Sequence, residues 1–242
     1  MQNKWYWIFR NIIFGPFLRV YNRPEIVGVD NIPSAGPAII ASNHQSVMDS
    51  FFLPLLCPRQ ITFLAKAEYF NGTTPVGRLQ KWFFTSSGSR PVNRTSASAG
   101  QDAMNTAVEV LNDGDLFGIY PEGTRSPDGR LYKGKTGVAR IALASGAQVI
   151  PVAMIGTRDV NPIGTWFPRP GKVRVKVGDP IYPIEFVNNR GLERDSYEAI
   201  RALTDHIMHQ LQQLSGQEYA DVYAAEVKKA LAEGGDSSPH NP

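Results

Sequence analysis

The chain has a single cysteine, Cys57, among its 242 residues. One thiol cannot form an internal disulfide, so the class of secreted domains held together by disulfides is excluded and a reducing compartment is favoured. Cys57 closes the apolar run FFLPLLC. Apolar neighbours of this kind predict a buried, unreactive thiol.

Long apolar stretches are also missing. No stretch of about eighteen residues, the minimum for a membrane-spanning helix, is both apolar and free of charge. A signal peptide is not predicted either, because Arg10 and Asn11 interrupt the apolar N-terminal segment and no small-residue cleavage site follows. The sequence therefore predicts neither a membrane span nor a cleaved leader.

The formal net charge is only +3, and charged residues make up 19% of the chain. This balance permits an anionic substrate or an anionic membrane surface, but it gives no reason to expect nucleic acid as a partner. Apolar residues make up 42%, which is ordinary for a globular protein, and the length suits one large domain.

Residues 1–22 are unusually rich in aromatic side chains, with basic residues such as Lys4, Arg10 and Arg19 between or beside them. This mixture is typical of a helix that lies in a lipid headgroup layer. A terminal helix packed on the core is the alternative. Residues 23–233 are predicted to form a single domain, and residues 234–242, which are rich in Gly, Ser and Pro, a disordered tail.

Apolar strand patterns alternate with helical patterns along the chain. The predicted strands are residues 37–41, 61–65, 116–120, 149–155 and 173–177, and the predicted helices are 46–56, 99–111, 136–144 and 200–214. This alternation predicts an α/β domain with a largely parallel or mixed central sheet flanked by helices. Val173, Val175 and Val177 alternate with charged residues, which predicts an edge strand with one wet face.

Polar residues follow the first predicted core strand in the stretch SNHQSVMDS, residues 42–50. Ser46 and Asp49 have the S-x-x-D spacing of a helix start, with Ser46 as the N-cap. Helical side chains tilt toward the N-terminus, so the Asp49 carboxylate would point back to His44. One interpretation is a helix cap beside a polar loop residue. The other is a carboxylate that fixes the tautomer of a general base.

A nucleophile for covalent catalysis is not evident. The chain has no G-x-S-x-G pattern, and its only thiol is expected to be buried. A histidine paired only with an acid favours a base that acts directly on a substrate hydroxyl.

A second polar run, YPEGTRSPDGR at residues 120–130, follows the predicted strand 116–120. Open α/β sheets place their sites at such strand ends. Gly123 permits a sharp turn, and Arg125 carries a planar fork suited to a phosphate. The alternative is a turn with an exposed Glu and Arg.

The run GRLYKGKT, residues 129–136, matches the phosphate-loop pattern G-x-x-x-x-G-K-[ST] and supports a nucleotide-binding protein as a rival interpretation. Its context argues against that interpretation. No buried strand leads directly into the run, and Leu131 and Tyr132 are bulky where the loop must curl. No apolar strand ends in an Asp suited to magnesium. Lys133 and Lys135 would instead add positive charge near the site.

Together these motifs resemble the PlsC-type glycerolipid acyltransferases, which include 1-acylglycerol-3-phosphate acyltransferases. The family's N-H-x-x-x-x-D motif matches Asn43, His44 and Asp49. Its F-P-E-G-T-R-S motif corresponds to YPEGTRS at residues 120–126, and its V-P-V-like run to VIPVAM at residues 149–154.

The family's remaining motif, near G-x-x-F-I-D-R, corresponds to GSRPVNR at residues 88–94. Here Pro91 replaces an aromatic residue and Asn93 replaces the usual Asp, while Arg94 is kept. The likeness covers about residues 25–180 and rests on four motifs in order.

The resemblance implies acyl transfer from acyl-CoA or acyl-carrier protein to a hydroxyl of a phosphorylated glycerolipid in phospholipid biosynthesis, with 1-acylglycerol-3-phosphate as the first candidate acceptor. His44 would be the general base, held by Asp49. Arginines 94 and 125 would hold the acceptor phosphate, and Glu122 would position the loop or the acceptor. The implied substrate-binding residues are Lys66, Arg94, Glu122, Gly123, Thr124 and Arg125.

The same resemblance implies the setting of the reaction. No metal or cofactor is implied beyond the acyl thioester, which is a co-substrate, because a thiolate leaves readily. The implied partners are a lipid acceptor, a thioester donor and a membrane surface, with a peripheral location at the cytoplasmic face of the cell membrane. Another lysolipid or a glycolipid is an alternative acceptor. A thioester hydrolase is a rival, because the same base could activate water.

Overall fold

A computed structural model describes residues 4–92, 99–165 and 167–233. The strands in this part of the chain are β1 (Glu25–Val27), β2 (Ala38–Ser42), β3 (Ile61–Lys66), β4 (Arg90–Val92), β5 (Leu116–Ile119), β6 (Leu131–Tyr132), β7 (Gln148–Ile155), β8 (Arg174–Val177) and β9 (Tyr219–Ala220). Seven of them form the central sheet in the order β1-β8-β7-β2-β5-β3-β4, while β6 and β9 pair separately.

The central sheet is mixed but mostly parallel. Its neighbouring strands run parallel except for β7 and β8, which are antiparallel. The helices of the described residues are α1 (Lys4–Ile8), α2 (Phe14–Tyr21), α3 (Asp49–Leu56), α4 (Pro75–Ser86), α5 (Ala99–Asn112), α6 (Gly137–Ser145), α7 (Thr157–Val160), α8 (Pro183–Asn188), α9 (Tyr197–Ser215) and α10 (Ala224–Ala232). The predicted α/β fold is confirmed.

Both faces of the sheet are covered, and β2 at its centre is buried along its whole length. Successive strand residues point to opposite faces. Ile39 therefore joins the core formed with α5, α6 and α9, and Ile40 joins the core formed with α3 and the N-terminal helices. Coverage on both faces explains why this strand is a continuous apolar run.

The prediction that residues 173–177 form an edge strand is wrong. One face is wet, as expected, because Arg174 is exposed while Val175 and Val177 are buried. However, β8 lies between β7 and β1, with Glu25 in register with Arg174. The covering strand has only three residues, which is too short for its alternation to be recognised in the sequence.

The start of α3 also differs from the prediction. The helix begins at Asp49 with Met48 as its N-cap, so the N-cap role of Ser46 is wrong. The Ser46 hydroxyl instead accepts the backbone N–H of Met48 and donates to the carbonyl oxygen of Asn161. The Ser46 hydroxyl thus binds a local turn and a distant loop, and these hydrogen bonds replace the one it would make as a helix N-cap.

The N-terminal segment combines features of both sequence interpretations. Its two helices are joined by a π-helical turn, Phe9–Ile13. Tyr6, Phe9 and Leu18 are buried, and the Tyr6 hydroxyl donates to the Pro54 carbonyl oxygen. Six of its large apolar side chains are exposed, namely Trp5, Trp7, Ile12, Ile13, Phe17 and Val20.

Membrane crossing is not a property of these helices. Within the described ranges, no helix is both long enough and apolar enough to span a bilayer.

The buried thiol is confirmed, since Cys57 is fully buried and burial raises its pKa to about 11.

Two other predictions concern residues that the structure does not describe. The tail at 234–242 and the phosphate-binding role of Arg94 both lie outside the described residues.

Gly28 provides a test of how closely β1 is joined to β8. It has a φ of +77°, and a Cβ there would lie 2.3 Å from the backbone oxygen of Val177. Gly36 has a φ of +80°, but no atom lies within 4 Å of its ideal Cβ. Each Gly→Ala change forces a left-handed residue, which costs about 1–2 kcal/mol. In Gly28→Ala a backbone clash adds to this cost.

We therefore expect Gly28→Ala to lower the free energy of unfolding by at least about 1 kcal/mol more than Gly36→Ala does. Urea unfolding of both variants measures the difference. Equal losses would show that the contact between residue 28 and Val177 is not tight.

Candidate active site

Two neighbouring strands deliver the two polar motifs to one end of the sheet. Strands β2 and β5 are parallel, with Ala41 in register with Ile119. The loop with His44 leaves β2, and the loop with Glu122 and Arg125 leaves β5. Parallel strands end at the same edge, so the motifs meet where open α/β sheets place their sites.

The predicted contact between His44 and Asp49 is confirmed. The His44 Nδ1 atom lies 2.9 Å from Oδ2 of Asp49, which is fully buried. The same oxygen accepts the backbone N–H groups of Gln45 at 2.7 Å and Ser46 at 2.8 Å. The carboxylate therefore closes the turn that precedes α3 and also holds the imidazole. An ionised acceptor at Nδ1 places the proton there and leaves Nε2 as the basic nitrogen.

Tyr120 fixes the plane of the imidazole through a contact that no sequence pattern indicates. Its ring stacks on His44 with centroids 3.9 Å apart and an interplanar angle of 11°. The Tyr120 hydroxyl lies 3.0 Å from Oγ of Ser50. Burial raises the pKa of Tyr120, which keeps the phenol neutral.

Glu122 is fully buried and bridges two backbone segments. Its Oε1 accepts the N–H of His44 at 2.9 Å, and its Oε2 accepts the N–H of Tyr132 at 3.0 Å. Burial raises its pKa to about 7, although the two N–H donors favour the charged form. Each carboxylate oxygen is bound to a backbone N–H, so Glu122 positions the loop of His44 from behind the residues that line the neighbouring cavity.

A cavity of about 1050 Å³ opens beside the histidine. His44, Lys66, Gly123, Thr124 and Arg125 line it together with apolar residues of the N-terminal helices, β3, α5 and α6. The structure thus brings together the predicted residues that it describes, with Glu122 behind the lining.

Four cationic side chains in the cavity wall lack acidic partners among the described residues. Lys66, Arg125, Lys135 and Arg140 all line the cavity, and none forms an ion pair with a carboxylate of the described residues. Lys66 ends β3, the neighbour of β5 in the sheet. A wall of this kind is suited to an anionic ligand.

Asn43 anchors the loop of His44 to the next strand. Its side chain accepts the backbone N–H of Met154 at 2.7 Å and donates to the Met154 carbonyl oxygen at 3.1 Å. It also donates to Oε1 of Gln217, whose amide nitrogen donates to the Gly129 carbonyl oxygen. The amide of the family motif is therefore part of the scaffold around the histidine.

The run at residues 129–136 does not form a phosphate loop. Leu131 and Tyr132 are fully buried in β6, which pairs with β9. Backbone N–H groups that would face a phosphate donate to the protein instead, at Gly129, Arg130, Leu131, Tyr132, Lys133 and Lys135. Lys135 lies beside Gly123 in the cavity wall. The pattern match is therefore coincidental, and its lysine contributes charge to the cavity.

Comparison with known proteins identifies the family. The family model described as Acyltransferase matches residues 23–155. The chain belongs to this acyltransferase family. It is 32% identical to the chloroplastic 1-acyl-sn-glycerol-3-phosphate acyltransferase LPAT1 of Arabidopsis thaliana, over 72% of this chain and 47% of that protein. It is 27% identical to the 1-acyl-sn-glycerol-3-phosphate acyltransferase of Bacillus subtilis, over 81% and 87%.

The fold has a solved counterpart in the same family. The crystal structure of the 1-acyl-sn-glycerophosphate acyltransferase PlsC from Thermotoga maritima matches with a TM-score of 0.62 and 27% identity, covering 83% of this chain and 76% of that one. The PlsC-type resemblance is thereby confirmed. The chain spans about half the length of the Arabidopsis acyltransferase.

The buried carboxyl group of Glu122 makes stability depend on pH. Its folded-state pKa of about 7 lies above the ordinary value of 4.5, so the folded protein binds this proton more tightly than the unfolded chain. The corresponding stability is fully present below pH 4.5 and is lost as the pH rises through 7. At about 1.4 kcal/mol per pKa unit, the change is about 3 kcal/mol.

Glu122→Gln cannot titrate, so we expect its unfolding free energy to fall less steeply than that of the wild type over this pH range. Its overall stability should also drop, because an amide NH₂ would face a backbone N–H. Denaturant unfolding at about pH 5 and about pH 7.5 measures both effects. Glu193→Gln, at an exposed loop position, is the control. Parallel pH profiles for wild type and Glu122→Gln would refute the assignment.

Proposed function

We propose that the protein transfers an acyl group from a thioester, acyl-CoA or acyl-carrier protein, to the free hydroxyl of 1-acylglycerol-3-phosphate. The observation that supports this most is the His44–Asp49 pair at the edge of a cavity whose wall carries apolar side chains and cations that form no ion pair with a described carboxylate. Such a cavity suits an amphiphile with an anionic head and an acyl chain. The names of the relatives point to the same acceptor.

The chemistry follows from the proton on the imidazole. Nε2 of His44 takes the proton of the acceptor hydroxyl as its oxygen attacks the thioester carbonyl carbon. Asp49 stabilises the imidazolium that forms, and Tyr120 holds its ring plane. The tetrahedral intermediate then collapses, the carbon–sulfur bond breaks, and the imidazolium protonates the departing thiolate. An ester and a free thiol result, and His44 returns to its neutral form.

The cations would hold the acceptor. Arg125 lines the cavity beside the loop of His44. Its planar guanidinium can donate two parallel N–H groups to two oxygens of a phosphate. Lys66 and Lys135 add point charges to the same wall. Thr124 and Gly123 complete the turn, where Gly123 has a φ of +72° and leaves room for the Lys135 side chain.

The test of this function is acceptor-dependent release of the thiol. Purified protein is given labelled oleoyl-CoA with 1-oleoylglycerol 3-phosphate, another lysophospholipid, glycerol 3-phosphate or no acceptor, and products are identified by mass. We expect phosphatidic acid from the first mixture. Equal thiol release with and without acceptor would show a thioester hydrolase instead.

The catalytic pair is tested by substitution. Asp49→Asn should reduce kcat by several decades, since the analogous change in serine proteases costs about 10⁴-fold. His44→Ala should be inactive yet folded, and the double variant should be scarcely worse than either, because the pair acts as a unit. Thermal unfolding is measured in parallel. Near-wild-type turnover of a folded His44→Ala protein would overturn the mechanism.

A peripheral position on the cytoplasmic face of the membrane is part of the same proposal. The N-terminal helices line the cavity and also expose large apolar side chains to the outside. Phe167, from a distant loop, joins this exposed surface beside Phe17 and Tyr21. Arg10 donates to the Leu55 carbonyl oxygen, so this side chain is bound within the protein and is not directed to lipid. An apolar surface is therefore expected to provide most of the attachment.

Replacing Ile12 and Val20 together by Ser should weaken binding to anionic phospholipid vesicles several-fold while leaving stability nearly unchanged, because both side chains are exposed. Co-sedimentation and thermal unfolding measure the two quantities. The control is Tyr197→Ser, at an equally exposed position on α9. If the double variant sedimented with vesicles as the wild type does, the surface would not be the attachment site.

A further inference from the structure

The last helix of the described chain is attached to the candidate site, although it lies outside the family match at residues 23–155. Strand β9 pairs in parallel with β6, and Ala220 and Ala224 are buried against Tyr132. Lys133 forms an ion pair with Asp221 at 3.0 Å. Helix α10 is therefore held by the same run whose Tyr132 N–H is bound by Glu122.

This attachment places Lys228 at the loop of the second motif. Its Nζ atom donates to Oγ1 of Thr124 at 2.7 Å, across 104 residues of sequence. Thr124 and the adjacent Arg125 line the cavity, whereas Lys228 is not itself a lining residue and reaches the cavity only at the Thr124 hydroxyl. Among the described residues, neither Lys228 nor Arg125 forms an ion pair with a carboxylate.

The two cations are near enough to affect each other. Partial burial lowers the pKa of Lys228 from its ordinary value, the charge of Arg125 lowers it further, and Glu122 opposes the shift. Neighbouring like charges repel, and a bound anion would reduce that repulsion. An ammonium has three N–H donors, so Lys228 can bind Thr124 and still donate to a ligand.

We propose that Lys228 binds the phosphate monoester of the acceptor together with Arg125. A phosphate monoester carries a charge of about −1.5 to −2 at neutral pH, which two cations can balance. The arginine fork binds two of its oxygens, and the lysine binds as a point charge held in place by Thr124. This assignment rests on the proposed function and adds a binding residue from outside the motifs.

The experiment uses Lys228→Gln, which keeps a donor for Thr124 but removes the charge. With 1-oleoylglycerol 3-phosphate as acceptor we expect KM for the acceptor to rise roughly ten- to hundred-fold. The KM for oleoyl-CoA, and the turnover of 1-oleoylglycerol, which has no phosphate, should not change. Lys228→Arg should recover most of the loss. Arg125→Ala gives the reference size for a lost phosphate contact.

Lys229 supplies a matched control on the same helix. It is exposed and lies 3.9 Å from Glu233, so Lys229→Gln removes an equal charge and should leave both KM values at the wild-type level. Thermal unfolding confirms that each variant is folded. If the donor KM rises instead, Lys228 binds a phosphate of CoA and the inference is overturned.

The remaining outcomes separate the inference from the function on which it rests. An active wild type with an unchanged acceptor KM in Lys228→Gln would refute the role of Lys228 alone. Equal losses in Lys228→Gln and Lys229→Gln would also refute it, because the effect would then be one of overall charge. A wild type without acceptor-dependent turnover would overturn the proposed function, and the role of Lys228 with it.

Discussion

The geometry at the end of the sheet depends on one buried carboxylate, that of Glu122. It accepts one backbone N–H from the loop after β2 and another from β6, so it joins His44 to Tyr132 across the strand ends. An unsatisfied carboxylate in the interior would cost several kcal/mol, so the two N–H donors must stay in place. The backbone of the histidine loop is fixed before any substrate arrives, which is the preorganisation that acyl transfer requires.

The parts of the fold that could be predicted from the sequence are those set by local pattern. Strands β2, β5 and β7 are apolar runs of strand length, and their alternation with helices determines the fold class. The contact of His44 with Asp49 could be predicted too, because it spans five residues and follows from the tilt of helical side chains. Four motifs in order were enough to identify the family.

The parts that could not be predicted depend on partners distant in the chain. Tyr120 stacks on His44, and Lys228 reaches Thr124 from the last helix, but no spacing or periodicity indicates either contact. The hydrophobic pattern of the sequence indicates which residues are buried, but it does not indicate which residues they contact. The assignment of Ser46 as N-cap failed for a related reason, because a carbonyl group in another loop binds its hydroxyl.

The pairing of β6 with β9 also affects the order in which parts of the fold can form during synthesis. Gly129 is bound by Gln217, 88 residues later, and β9 is the strand partner of β6 in the described part of the chain. A ribosome releases the chain from its N-terminus, so the large sheet can form while this corner is still open. Contacts between such distant segments form late and slowly. A nascent chain therefore completes this corner of the site only after β9 has emerged, when the strands of the central sheet are already available to pair.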